Sequence, residues 1–176
     1  MEEEVEVDFK RSRRAGGWKA LNVYVCNMKF CDDRGNCEAT GLSARPQDIA
    51  PSDRWVDGVM IDPSLLREGS LFIHEVGHWL GLEHTFGGGG FLPDASCRDC
   101  SCDDGITDTP RHRLVPVLDC RPRDTCPNHP GLDPISNFMG YNNFCAHEFT
   151  PEQRARMWVT TLLYRHNPTR INRPRR

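Results

Sequence analysis

Eleven residues, His74-Glu75-Val76-Gly77-His78-Trp79-Leu80-Gly81-Leu82-Glu83-His84, constrain this chain more than any other stretch. His74 and His78 stand four residues apart, so on a helix they project from one face about a turn apart. Gly81 can take a positive backbone angle, ending the helix and turning the chain back. His84 then arrives as a third imidazole. Three neutral nitrogens with a fourth position open for water suit a catalytic Zn²⁺ ion, and Glu75 belongs beside that sphere rather than in it. A helix with surface histidines is the bland alternative for a lone H-E-x-x-H. The longer form, with a helix-stopping glycine where the geometry needs one, argues against it.

The flanking chain reads as α+β. Ser70 is positioned to cap a helix from Leu71 to about Leu80. Leu21 to Val25, rich in β-branched and aromatic residues, reads as a buried strand, and Gly58 to Asp62 as a second, closed by Pro63. Asp32 to Gly41 is turn-like, with Cys26, Cys31 and Cys37 close by. From Gly87 to about Pro134 the chain is loop-dominated, and a loop that long in a compact domain is functional or stapled. Thr150-Pro151-Glu152-Gln153 is a helix start, with a capping threonine, proline at the first position and a glutamine reaching back. That helix is expected to run to about Arg165, ahead of Pro168.

Nine cysteines in 176 residues point to an oxidising, secreted setting. Met1 leads into an acidic segment rather than a signal peptide, so the chain is expected to be a fragment. Glu2, Glu3, Glu4 and Glu6 open it, and Arg170, Arg173, Arg175 and Arg176 close it, both read as solvated ends. The expected organisation is a mobile segment at 1–17, a catalytic domain at 18–166 and a basic tail at 167–176. A net charge of -3 gives no sign of a nucleic-acid partner, and no apolar run is long enough to span a membrane. A monomer is expected.

The eleven-residue run resembles the signature of the metzincin metallopeptidases. Asn137-Phe138-Met139-Gly140-Tyr141 is similar to their methionine-containing turn. His84-Thr85-Phe86-Gly87-Gly88, Asp108-Thr109-Pro110 and Phe149-Thr150-Pro151-Glu152-Gln153-Arg154 resemble the pappalysin branch, the likeness running from about Trp18 to Met157. The resemblance implies a mixed sheet and active-site helix above an irregular, disulfide-stapled lower lobe. Met139 becomes an apolar floor under the histidines, although a lone methionine is more often plain core. Tyr141 becomes a hydroxyl near the metal, as a movable fifth ligand or as a donor to the oxyanion, or simply a packed aromatic. Gly58 to Asp62 matches the edge strand along which extended substrates lie. With 73 residues ahead of His74 and no long amphipathic helix among them, the upper lobe is expected to be incomplete. Gly140 stands where the family usually has an aspartate, and no carboxylate precedes Cys145, so a basic-residue preference does not carry over.

The resemblance also implies two crossing disulfides, one from the Cys97/Cys100/Cys102 group to Cys126 and one from Cys120 to Cys145. A structural zinc site on Cys97, Cys100 and Cys102 is the rival. Asp99, Asp103, Asp104, Thr107 and Asp108 gather oxygen donors that suit Ca²⁺, or form only a solvated acidic loop. The expected activity is hydrolysis of protein or peptide substrates, Glu75 moving the proton of a zinc-bound water. A zinc-holding module without turnover and a disulfide-rich structural domain remain as alternatives.

Overall fold

The computed structural model describes residues 9–31, 37–67, 69–87, 100–114, 119–142 and 144–166. The acidic start, Asp99, Cys97 and the arginine-rich tail lie outside them. The chain divides into two compact units, residues 1–81 with 158–176, and residues 82–157.

In the first unit, residues 9–13 are helical (α1) and are followed by β1 (Val23–Val25), β2 (Lys29–Cys31), β3 (Cys37–Ala39), β4 (Gly41–Ser43) and β5 (Val59–Ile61). β5 is the middle strand. It pairs parallel with β1, Val23 facing Val59, and antiparallel with β4, Gly41 facing Ile61. Val-Met-Ile is therefore buried along its whole length, as a strand covered on both faces requires. The expectation that Gly58 to Asp62 is an edge strand is corrected: the edges of this sheet are β1 and β4. Gly-Leu-Ser is short and carries glycine, so its sequence gives little strand signal. β2 and β3 form an antiparallel pair, so 37–39, read as turn-like, is strand instead.

α2 (Ser70–Trp79) packs its apolar face on this sheet: Val59, Ile61 and Trp79 are buried, with Leu21, Leu65, Phe72, Val76 and Leu80 around them. Burying each such side chain contributes ~1.5–3 kcal/mol. Ser70 does not cap the helix. Gly69 takes the cap position at φ 71°, a left-handed conformation that glycine tolerates, and Ser70 is already the first residue of the helix.

The second unit has no strand or helix among its described residues before α3 (Pro151–Thr160), only an isolated bridge between Asn137 and Glu148. Cys100–Cys126 and Cys120–Cys145 interlace along it. Their closed loops, 26 and 25 residues long, each remove ~3–4 kcal/mol of unfolded-state freedom. Carboxylates bridge the turns: Asp133 Oδ1 accepts from the Thr125 N–H and hydroxyl, both at 2.9 Å, and Asp124 accepts from the Cys126 N–H at 3.0 Å. A second core gathers Leu82, Ile106 and Met139 with Phe149 and Met157. α3 opens as its sequence predicts. The Thr150 hydroxyl accepts from Gln153 N–H at 3.1 Å and Gln153 Oε1 accepts from Thr150 N–H at 3.0 Å. The last turn, Thr161–Arg165, is π-helical.

Candidate metal centre

α2 presents His74 and His78 side by side, their Nε2 atoms 3.0 Å apart and their rings nearly perpendicular. Leu80 N–H donates to Val76 and Gly77 oxygens and closes the helix. Gly81 then turns the chain at φ 94°, and a Cβ there would stand 2.6 Å from Thr160 Cγ2. Position 81 thus demands glycine on both counts. The run is continuous chain to His84, and the ligand atoms of His74, His78 and His84 lie within 4.8 Å of one another. His74 and His84 are buried and His78 is half-buried. Zinc fits this set, since a tetrahedral sphere with ~2.0–2.1 Å bonds places its nitrogens about 3.3 Å apart. Among the described residues these are the one group of three metal-binding side chains.

Glu75 lies on the same helix, 4 % exposed. Burial pushes its carboxyl up to about 8, and a dication nearby would draw it back down. The backbone of β4 presses on it: a Cβ on Gly41 would fall 2.8 Å from Glu75 Oε1. A side chain at 41 would displace the carboxylate.

In the second unit His84 is stacked on Phe86, centroids 4.8 Å apart, and meets Tyr141 edge-on at 4.8 Å, while Phe86 and Tyr141 also touch. Tyr141 is 40 % exposed. Met139 is fully buried, and its carbonyl accepts from Thr85 N–H at 3.2 Å, next to His84.

Three residues at the site were not singled out as such by the sequence. Phe86 supplies the face on which His84 rests. His112, held below its usual range by burial, meets the Thr85 hydroxyl at 2.8 Å. Gln153, read only as a cap, also exchanges two amide hydrogen bonds with Asn137, at 2.7 and 3.0 Å, while Asn137 Oδ1 accepts from Met139 N–H. The capping box and the methionine turn are one network. Only contacts between distant segments reveal it.

The pairings Cys100–Cys126 and Cys120–Cys145 agree with those the resemblance implies, and Cys102 is disulfide-bonded too. Oxidised sulfurs are poor zinc ligands, which removes the structural-zinc alternative at Cys100 and Cys102. Of the oxygen-rich set, Asp103 pairs with Arg111, and Thr107 N–H and hydroxyl donate to Glu152 at 3.0 and 2.7 Å. Asp108 Oδ2 accepts from Glu152 N–H at 3.0 Å. Asp104 Oδ1 accepts from Thr109 at 2.6 Å and from Ile106 N–H at 3.1 Å. Asp104 Oδ2 and Asp108 Oδ1 are buried without a hydrogen-bond partner.

Residues 14–161 match the family profile described as pregnancy-associated plasma protein-A. An extracellular metalloprotease of Colletotrichum graminicola is 40 % identical over 172 residues, covering 91 % of this chain and 55 % of that protein. Another from Neurospora crassa is 36 % identical over 174 residues, with 92 % and 55 % covered. The chain thus spans about half the length of these curated relatives. Mature mirolysin of Tannerella forsythia, solved with a cleaved peptide, superposes with a TM-score of 0.64 at 27 % identity, covering 98 % of this chain and 67 % of that one. With a family match across most of its length and a metzincin among its structural neighbours, the chain belongs to the pappalysin branch of the metzincin metallopeptidases.

Proposed function

We propose that this chain is the catalytic part of a secreted zinc endopeptidase acting on protein or peptide substrates. The observation that carries the proposal is the convergence of three imidazoles beside a buried carboxylate on the same helix. His74, His78 and His84 would hold the ion. When bound, zinc supplies a Lewis acid that acidifies water and polarises the scissile carbonyl. Glu75 takes the proton of the attacking water and hands it to the leaving amine, a role its burial favours because the protonated form is not penalised. Tyr141 donates its phenol to the oxyanion, which its half-exposed ring against His84 supports. Met139 is the apolar floor and Gly81 the turn that brings the third ligand round. No cysteine is needed as nucleophile.

An extended substrate adds along β4, the sheet edge whose backbone abuts Glu75. Secretion is supported by the disulfides and by relatives named extracellular. No helix of the described residues is long and apolar enough to cross a membrane. The protein acts as a monomer. Its catalytic domain begins ahead of Trp18, by Phe9, because Phe9 packs edge-on against Tyr24 and Arg14 pairs with Asp57. Calcium uptake in the acidic loop would draw on Asp104 and Asp108, supported by the buried, unpartnered Asp104 Oδ2 and Asp108 Oδ1.

The test is metal content and casein cleavage by refolded, oxidised protein, with chelation and zinc restoration. Cleavage lost on chelation and regained with zinc is expected. Stoichiometric zinc without cleavage would favour the binding-module alternative, and no zinc at all would end the reading.

A further inference from the structure

Within the first unit, the π-helical turn Thr161–Arg165 reaches back to the end of the helix that carries two of the histidines. Arg165 is 2 % exposed. Its Nη2 donates to the Trp79 carbonyl at 2.6 Å, and its Nη1 donates to Asp57 Oδ1 at 2.8 Å. The guanidinium carbon lies 3.8 Å from the Trp79 ring centroid. Asp57 is fully buried, and its second oxygen accepts from Arg14 Nη2 at 2.9 Å.

Trp79 is the last residue of α2 and follows His78 directly. The final carbonyls of a helix lack intrahelical partners, and a cation there also meets the negative end of the helix dipole. Val76, Gly77 and His78 oxygens are satisfied by Leu80 and Gly81 N–H groups, which leaves the Trp79 oxygen to Arg165. Two residues on, the Gly81 carbonyl accepts from Gln47 Nε2 at 3.1 Å. The turn after the second histidine is therefore gripped by side chains from positions 47 and 165, far from it in sequence. Lysine could not take over the grip, because the two donations leave one planar fork in different directions.

We propose that Arg165, oriented by Asp57, is a positioning residue that fixes the end of the zinc-motif helix and the turn beyond it. A plain core ion pair would satisfy Asp57 with no part in the metal site. The inference rests on the metallopeptidase reading above, and the experiment separates the two.

Wild type, Arg165→Lys, Asp57→Asn and the double variant are compared in three measurements. These are zinc affinity by chelator competition, the visible spectrum of cobalt-substituted protein, and kcat and KM on a peptide. Arg165→Lys should weaken zinc roughly tenfold, shift the cobalt band and lower kcat with KM little changed. Asp57→Asn should do the same, and the double variant no more than either alone. A variant that unfolds more easily yet keeps wild-type zinc affinity and cobalt band would make Arg165 a core ion pair only and overturn the proposal. If Arg165→Lys does not fold, Arg14→Gln, which takes away the second partner of Asp57 while leaving Arg165 and Trp79 in place, should produce the same changes in smaller degree; an unaltered cobalt band there overturns it too. Wild-type protein that takes up no zinc would overturn the metallopeptidase reading itself.

Discussion

The helix carrying His74, Glu75 and His78 and the loop carrying His84, Met139 and Tyr141 are ordered by different forces. α2 lies on a hydrogen-bonded sheet over an apolar cluster of Val59, Ile61 and Trp79. The 82–150 stretch has two interlaced disulfides and a mesh of carboxylate-to-backbone hydrogen bonds. Backbone pairing and burial encode the first. Covalent closure and side-chain contacts encode the second. A metal held as proposed would draw on both kinds of order, and damage to each should read out differently.

The largest effect is expected where chemistry, not order, is removed. Glu75→Gln should lower kcat/KM by ~10²–10⁴-fold, because the amide cannot accept the water's proton. Zinc content and unfolding midpoint should stay near those of wild type. Equal cleavage by the two proteins would move the base elsewhere and detach α2 from the catalytic role.

Cys120→Ser attacks the second kind of order. Opening the Cys120–Cys145 loop should cost ~2–4 kcal/mol of stability and weaken zinc retention. Hydrogen exchange should rise through 119–142 while β5 and α2 stay protected. Uniform acceleration in both units would show that they unfold together and erase the contrast. A mass map of the oxidised protein checks the pairing independently.

Gln153→Leu is a milder cut into the same network. It removes the half of the capping box in which Gln153 Oε1 accepts from Thr150 N–H, and leaves the buried Asn137 Nδ2 donor without its acceptor, worth ~1–3 kcal/mol. Asn137 also holds Met139 N–H, so the methionine turn should loosen with the helix start. A loss confined to α3, seen as unchanged exchange at Met139, would separate cap from turn.

What the sequence made legible follows the same divide. His74, His78 and Gly81 could be read because a helix period and one glycine conformation encode them locally. The capping box was readable for the same reason. The resemblance, and not the residues alone, supplied the two disulfides and the methionine turn. β4, three residues led by glycine, carries no period, and without it β5 reads as an edge strand instead of the middle one. Serine's capping propensity points to Ser70, but the chain enters the helix through Gly69. Phe86, Gln153 and Arg165 act through partners distant in sequence or through ring geometry, which no local pattern displays.

The smallest expected effect sharpens the contrast from its electrostatic side. Asp104 sits in the irregular unit, and burial pushes its carboxyl up to about 6, from 3.8, against the pull of Thr109 and Ile106. The native state therefore holds this proton at pH values where the unfolded chain has released it. Between those two values the native state binds more protons than the unfolded one, so stability falls as pH rises and levels off above about 6. Because the Thr109 hydroxyl and Ile106 N–H can tighten on the carboxylate as it ionises, the loss should be on the order of 1–2 kcal/mol, below the full value of such a shift. Urea unfolding in chelator at pH 4.5, 5.5 and 7 should show this slope in wild type and a shallower one in Asp104→Asn, the difference between the two isolating this carboxyl from the other titrating groups. Calcium at millimolar concentration would give the unpartnered Asp104 oxygen a ligand, raise stability most at pH 7, and so flatten or reverse the wild-type slope. An identical slope in Asp104→Asn would assign the titration to another group. A calcium-insensitive slope would leave the disulfides and hydrogen bonds as the means of ordering this loop.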